Sequence, residues 1–229
     1  MTTVFEGWAE GSFHHDGVER RTFRKGAGPC VIVIHEIPGV TPRVAAFAEE
    51  VVAAGFTVVM PSLLGEPGRA LSNGAVASAL WQLCVSREFT VWALGRTSPI
   101  VTWLRALARE AHAECGGPGV GAVGMCFSGG FALGMMVDAP VVAPVLCQPS
   151  LPAPTRARSR HLDLSPEDLA AVKAKVAAGC DVLGLRYAED PLVGERFDTL
   201  RRELGDRFLA VELPSRRRSD HSVLTEHRD

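Results

Sequence analysis

The sequence predicts an α/β protein with a mostly parallel central sheet and helices on both faces, folded as one domain over residues 1–229. Three observations predict it. Short unbroken runs rich in β-branched residues, such as Cys30 to Ile34 and Phe56 to Met60, read as strands buried on both faces. Segments with apolar residues at helical spacing alternate with these runs, and that rhythm packs as parallel strands joined by right-handed crossovers. Pairs such as Ser98-Pro99 and Ser165-Pro166 supply a capping oxygen and a preset φ where those helices should start.

Taken in chain order, Gly11 to Phe23 reads as a hairpin turning at Asp16-Gly17. His14 and His15 then belong to an exposed turn rather than to a metal site. Cys30 to Ile34 is a strand, and Pro42 to Ala54 an amphipathic helix closed by Gly55. Phe56 to Met60 is a strand stopped by Pro61. Residues 61–97 fit the rhythm poorly and read as a loop or partial lid. Ser98 caps a helix whose apolar face is Ile100, Trp103, Leu104, Leu107 and Ala111. Val120 to Met125 is a strand, Gly129 to Val137 a helix, and Val141 to Leu146 a strand. Residues 148–164, rich in Pro and Arg, form a second candidate lid. A capped helix to about Ala178, a strand Val182 to Tyr187, a helix Val193 to Leu204 and a strand Phe208 to Leu213 follow. A short helix is expected near His221.

Composition narrows the function classes. Hydrophobic residues make up 47%, charged residues 22%, and the formal net charge is −2, so there is no basic footprint for nucleic acid. Arg216-Arg217-Arg218 reads as a solvated loop. The first residues have neither a basic start nor an apolar stretch, and no window approaches the roughly 18 consecutive apolar residues of a membrane span. A cytoplasmic protein without membrane or nucleic-acid partners is expected. The six cysteines contain no C-x-x-C, so no zinc ribbon or redox motif is indicated.

In a doubly wound sheet, ligands bind beyond the carboxyl ends of the strands. There lies Gly124-Met125-Cys126-Phe127-Ser128-Gly129-Gly130, between a buried strand and a helix, which is the setting of a nucleophile elbow. Small residues are needed two before and two after the nucleophile, and Gly124 and Ser128 meet that need around Cys126. The helix start would favour a thiolate. The register with Ser128 as nucleophile stays open, as does a buried structural Cys126. The acid of such a fold follows the nucleophile and the base comes last. Asp190 follows the strand ending at Tyr187, and His221 follows the last strand. Alternatively, Asp190 caps a helix and His221 is an exposed histidine. After the first parallel strand come His35, Glu36 and Ile37. The Ile37 and Phe127 amides are candidates for an oxyanion hole, at ~3 kcal/mol each. A buried Glu36 beside the thiol would accept its proton or keep it neutral, and His35 reads as a packed, hydrogen-bonded side chain.

These segments resemble the dienelactone hydrolase family of the α/β-hydrolase superfamily. The resemblance is carried by His35-Glu36-Ile37-Pro38-Gly39-Val40, the elbow around Cys126, Asp190-Pro191-Leu192-Val193 and His221-Ser222-Val223, and runs from about Pro29 to the end. It implies an α/β-hydrolase fold, a Cys126–His221–Asp190 triad and a carboxymethylenebutenolidase-like hydrolysis of a small lactone or ester, with no cofactor. It also implies that Glu36 contacts the resting thiol. The sequence departs from the family at Ser128, where glycine is usual. Arginines that recognise a substrate carboxylate in the family have one candidate match here, Arg87. Rival expectations are a thioesterase or acyltransferase with the same triad, a non-catalytic small-molecule-binding protein, and a redox sensor. A monomer or homodimer is expected.

Overall fold

The structure, a computed structural model, describes residues 4–85, 98–138, 140–150 and 158–228. Its strands are β1 (Ala9–His15), β2 (Val18–Lys25), β3 (Cys30–Ile34), β4 (Thr57–Pro61), β5 (Val120–Met125), β6 (Val141–Cys147), β7 (Val182–Tyr187) and β8 (Phe208–Leu213). The helices among the described residues are α1 (Pro42–Ala53), α2 (Asn73–Val85), α3 (Pro99–Cys115), α4 (Gly129–Met135), α5 (Pro166–Ala177) and α6 (Arg196–Leu204). The strands form one eight-stranded sheet in the order β1-β2-β4-β3-β5-β6-β7-β8. The pairs β1–β2 and β2–β4 are antiparallel; all pairs from β4 to β8 are parallel. This is the α/β-hydrolase fold.

Strand alternation divides the core. Ile32 and Ile34 of β3 pack on one face with Leu104 of α3, Phe131 of α4 and Phe197 of α6. Val33 faces the other way, among Val44 and Ala48 of α1 and Met60 and Met125 from neighbouring strands. Each fully buried side chain of this size contributes roughly 1.5–3 kcal/mol of transfer free energy. The caps form as the sequence requires: the side chains of Thr41, Ser98 and Ser165 accept from the amides of Val44, Ile100 and Asp168, at 3.3, 3.2 and 3.2 Å.

Four expectations change. Pro61 continues β4 instead of stopping it: it pairs with Thr22 of β2 beyond the end of the β3 pairing, where a missing N–H costs nothing. Within residues 61–97, Asn73–Val85 is helical, capped by Ser72, whose Oγ accepts from Ala75 N at 3.2 Å. Its apolar residues go all round the helix and leave Trp81 exposed, so no stripe betrays it. The helix near Val193 starts at Arg196, because Asp190 Oδ1 accepts from Leu192 N at 2.9 Å and holds a turn. No helix forms near His221. The chain turns there, and the amides of His221 and Ser222 both donate to Nδ1 of His227, each at 3.0 Å. His227 thereby anchors the turn that carries His221. Among the described residues, no helix is long and apolar enough to cross a membrane.

Candidate active site

The elbow forms at the carboxyl end of β5. Cys126 adopts φ 57°, a left-handed conformation costly for a side-chain-bearing residue and suited to lifting the sulfur off the strand tip. A turn this tight admits nothing larger than hydrogen at position 124: a Cβ on Gly124 would lie 2.2 Å from the Ser128 carbonyl oxygen. A 3-10 turn, Cys126–Ser128, leads into α4.

Ser128, the rival in that register, lies inside the elbow and is engaged by the backbone. Its hydroxyl is fully buried and committed to the backbone. It accepts from Met125 N at 2.8 Å and lies 2.9, 3.0 and 3.1 Å from the carbonyl oxygens of Met125, Ile34 and His35. A serine where the family usually has glycine thus ties the elbow to the end of β3. Cys126 remains partly exposed, and its sulfur lies 3.2 Å from Oγ of Ser150.

Asp190 and His221 come together beyond β7 and β8. Asp190 Oδ2 is 2.6 Å from His221 Nδ1, and Asp190 is 5% exposed. Burial disfavours an imidazolium at His221, but the hydrogen bond to Asp190, the neighbouring Cys126 sulfur and the charges of both outweigh it and raise its pKa to about 10. Nε2 of the ring is buried and makes no well-formed hydrogen bond among the described residues. That leaves it available on the side where Cys126 acts on the ring.

Glu36 is placed elsewhere than expected. It is 4% exposed, and its carboxylate accepts from Ser222 Oγ at 2.7 Å, from Thr225 Oγ1 and, more weakly, from Gln148 Nε2 at 3.4 Å. No hydrogen bond joins it to Cys126 among the described residues. Burial pushes its carboxyl up, only partly offset by the Thr225 and Ser222 hydroxyls and the nearby His221 charge. Here Glu36 clasps the segment that carries His221.

His35 is packed as expected. Its Nδ1 bonds the Glu36 carbonyl at 2.8 Å, and Nε2 accepts from Leu63 N at 2.9 Å and Leu64 N at 3.3 Å. An acceptor at Nε2 makes this ring neutral, and burial lowers its pKa to about 4. Ile37 begins the turn after β3, and its amide has no acceptor among the described residues. Phe127 is fully buried at the start of the 3-10 turn. Arg87 lies outside the described residues. No cluster of three or more metal-ligating side chains occurs among the described residues.

Two residues at this edge escaped the sequence reading. Gln148 (φ 34°) and Ser150 follow β6, where Gln148 N donates to Leu185 O at 2.7 Å and Ser150 N to Cys126 O at 3.1 Å. The Gln148 side chain also accepts from Val223 N at 3.3 Å. Their signal was position alone, directly after a parallel strand, and it was masked by the Pro- and Arg-rich stretch that follows.

The sequence model of the dienelactone hydrolase family matches residues 21–177. That span holds Glu36, Cys126 and Ser150; Asp190 and His221 lie beyond it and are placed by geometry. No curated protein sequence matches the chain. Among solved structures, a Klebsiella pneumoniae subsp. pneumoniae protein assigned as a dienelactone hydrolase is 16% identical, with 90% of this chain and 85% of that one covered at TM-score 0.59. A cold-adapted esterase from an Arctic intertidal metagenomic library is 16% identical over 90% of this chain and 83% of that one, at TM-score 0.60. The thioesterase domain from the curacin biosynthetic pathway is 12% identical over 91% and 93%, at TM-score 0.55. At these identities the likeness is one of fold.

Proposed function

The chain belongs to the dienelactone hydrolase family, and from that premise we propose that it hydrolyses a small lactone or ester through Cys126, His221 and Asp190. The observation that carries the reading is the 2.6 Å contact between Asp190 and His221, on a ring whose pKa also responds to the Cys126 sulfur. An acid holding Nδ1 fixes the tautomer and turns Nε2 towards its task.

In this reading His221 Nε2, whose raised pKa favours the imidazolium, takes the thiol proton ahead of attack, and the Cys126 sulfur then adds to the substrate carbonyl. The tetrahedral oxyanion is held by the Ile37 and Phe127 amides. Its collapse breaks the acyl C–O bond, and His221 returns the proton to the departing alkoxide or enolate, which in a lactone stays tethered to the acyl group. Water, deprotonated by His221, then adds to the thioester. The carbon–sulfur bond breaks, the acid leaves, and the proton returns to sulfur. The substrate is a small molecule; neither a cofactor, nor nucleic acid, nor membrane enters the scheme.

A redox-sensor reading finds less support. Cys147 is fully buried, and burial pushes its thiol well above the ordinary range, with the Glu36 charge adding to the effect, so it is a poor resolving thiol for Cys126.

The test is a panel of lactones, aryl esters and acyl thioesters assayed with wild type and Cys126→Ser. Turnover of lactones or aryl esters, falling at least a hundredfold in the variant, supports the proposal; full activity in the variant refutes it. Preference for thioesters would move the assignment to a thioesterase.

A further inference from the structure

The contact that the family resemblance gives to Glu36 is made here by another residue. Ser150 is 4% exposed and touches Cys126 twice. Its amide donates to the Cys126 carbonyl at 3.1 Å, and its hydroxyl lies 3.2 Å from the sulfur. That hydroxyl makes no other hydrogen bond among the described residues. The backbone holds it there: Gln148 N is bonded to Leu185 O on β7, and Pro149 packs so close to α4 that a Cβ on Gly129 would come within 2.8 Å of it. The Glu36 carboxylate, by contrast, is occupied by Ser222, Thr225 and Gln148.

We propose that Ser150 is a further catalytic residue, whose hydroxyl donates to the Cys126 sulfur whenever that sulfur carries negative charge. The proposal rests on the reading of Cys126 as nucleophile. With a protonated thiol, either partner can donate. A thiolate has no proton to give, so the contact then runs from Ser150 Oγ–H to sulfur, and a hydrogen bond to a charged acceptor is roughly twice as strong as a neutral one. The charge appears twice in the cycle. It forms when His221 removes the thiol proton. It forms again when the hydrolytic tetrahedral intermediate breaks its carbon–sulfur bond and the electron pair leaves on sulfur. In the intervening thioester the sulfur is a weak acceptor, and Ser150 has little hold on it. The hydroxyl therefore favours the charged states over the acylated one, assisting both thiolate formation and thiolate departure.

The test compares Ser150→Ala, Ser150→Thr and Ser150→Val with wild type. The readouts are the rate of Cys126 alkylation by iodoacetamide at pH 7, followed by peptide mass spectrometry, and kcat and KM on an aryl ester. We expect the Ala and Val variants to lose about tenfold in alkylation rate and in kcat, with KM within about twofold. The Thr variant, which keeps the hydroxyl, should stay within about threefold of wild type. Thr and Val are nearly isosteric, so their difference isolates the hydroxyl even if Ala perturbs folding. Equal rates for the Thr and Val variants, or a folded Ala variant alkylated as fast as wild type, would overturn the proposal. Undiminished turnover in Cys126→Ala would overturn it too, by removing the nucleophile; that outcome separates failure of the functional reading from failure of Ser150 alone.

Discussion

Asp190 and His221 stand 31 residues apart in the chain, on loops after two adjacent parallel strands, yet Oδ2 of one lies 2.6 Å from Nδ1 of the other with both side chains largely buried. Parallel β7 and β8 carry their ends to the same edge, so two loops separated by a whole strand–helix unit open side by side. The contact with Asp190 holds the His221 ring at Nδ1 and helps raise its pKa.

Replacing Asp190 by Asn keeps the shape and removes the charge. Turnover should fall on the order of ten-thousandfold, as with other acids of this role. The His221 ring resonance, followed by NMR titration, should move its midpoint from about 10 towards the ordinary histidine range. An unchanged midpoint would show that the carboxylate does not hold the ring.

The same raised pKa has a stability consequence. His221 gains its partner on folding, so its contribution is fully present below the unfolded value near 6.5 and is lost as pH rises through about 10. Urea unfolding between pH 7 and 10 should show wild type losing stability over that range, and His221→Gln losing less.

His35 works with the opposite sign. It is buried neutral, with its pKa lowered to about 4, so the unfolded chain binds its proton first. Its contribution is present above pH 6.5 and lost as pH falls towards 4, on the order of 3 kcal/mol in all. His35→Gln should be less stable than wild type at pH 7 and show a shallower loss between pH 6.5 and 4.

Ser128→Ala should separate structure from chemistry. The Met125 amide loses its hydroxyl acceptor in a buried site, at a cost of about 1–3 kcal/mol by chemical denaturation. Cys126 should still be alkylated by iodoacetamide. Loss of labelling without loss of stability would return Ser128 to the reaction.

Thr225→Val should weaken the clasp on Glu36, whose buried carboxylate would keep Ser222 and Gln148 but lose one hydroxyl donor. A fall of about 1–3 kcal/mol in unfolding free energy is expected, with slower turnover because the same segment carries His221. Unchanged stability would mean that Glu36 does not secure this segment.

Much of the fold was legible because short apolar-rich runs mark the parallel strands: β3, β5, β7 and β8 begin and end where those runs do. Helix α2 was not, since small apolar residues on every side leave no periodic stripe. At the site, order along the chain and position after strands picked out Cys126, Asp190 and His221. Those rules say where a side chain starts, not what it touches. Glu36 therefore followed the resemblance to the thiol, while in the structure it turns to Ser222 and Thr225, to which no role was given from the sequence. Ser150 and Gln148 went unread for the same reason: a polar residue after a strand acquires meaning only from its neighbours in space.

The central claim is that Cys126 carries the acyl group between two half-reactions. The most direct test mixes enzyme with p-nitrophenyl acetate, quenches in acid within the first turnover, and maps the acetyl adduct by peptide mass spectrometry. The account predicts acetylation at Cys126 in wild type, accumulation of that adduct in His221→Ala if it still acylates, and none in Cys126→Ala. Hydrolysis that continues undiminished in Cys126→Ala, or an acetyl group that maps reproducibly to Ser128 or Ser150 in wild type, would contradict it.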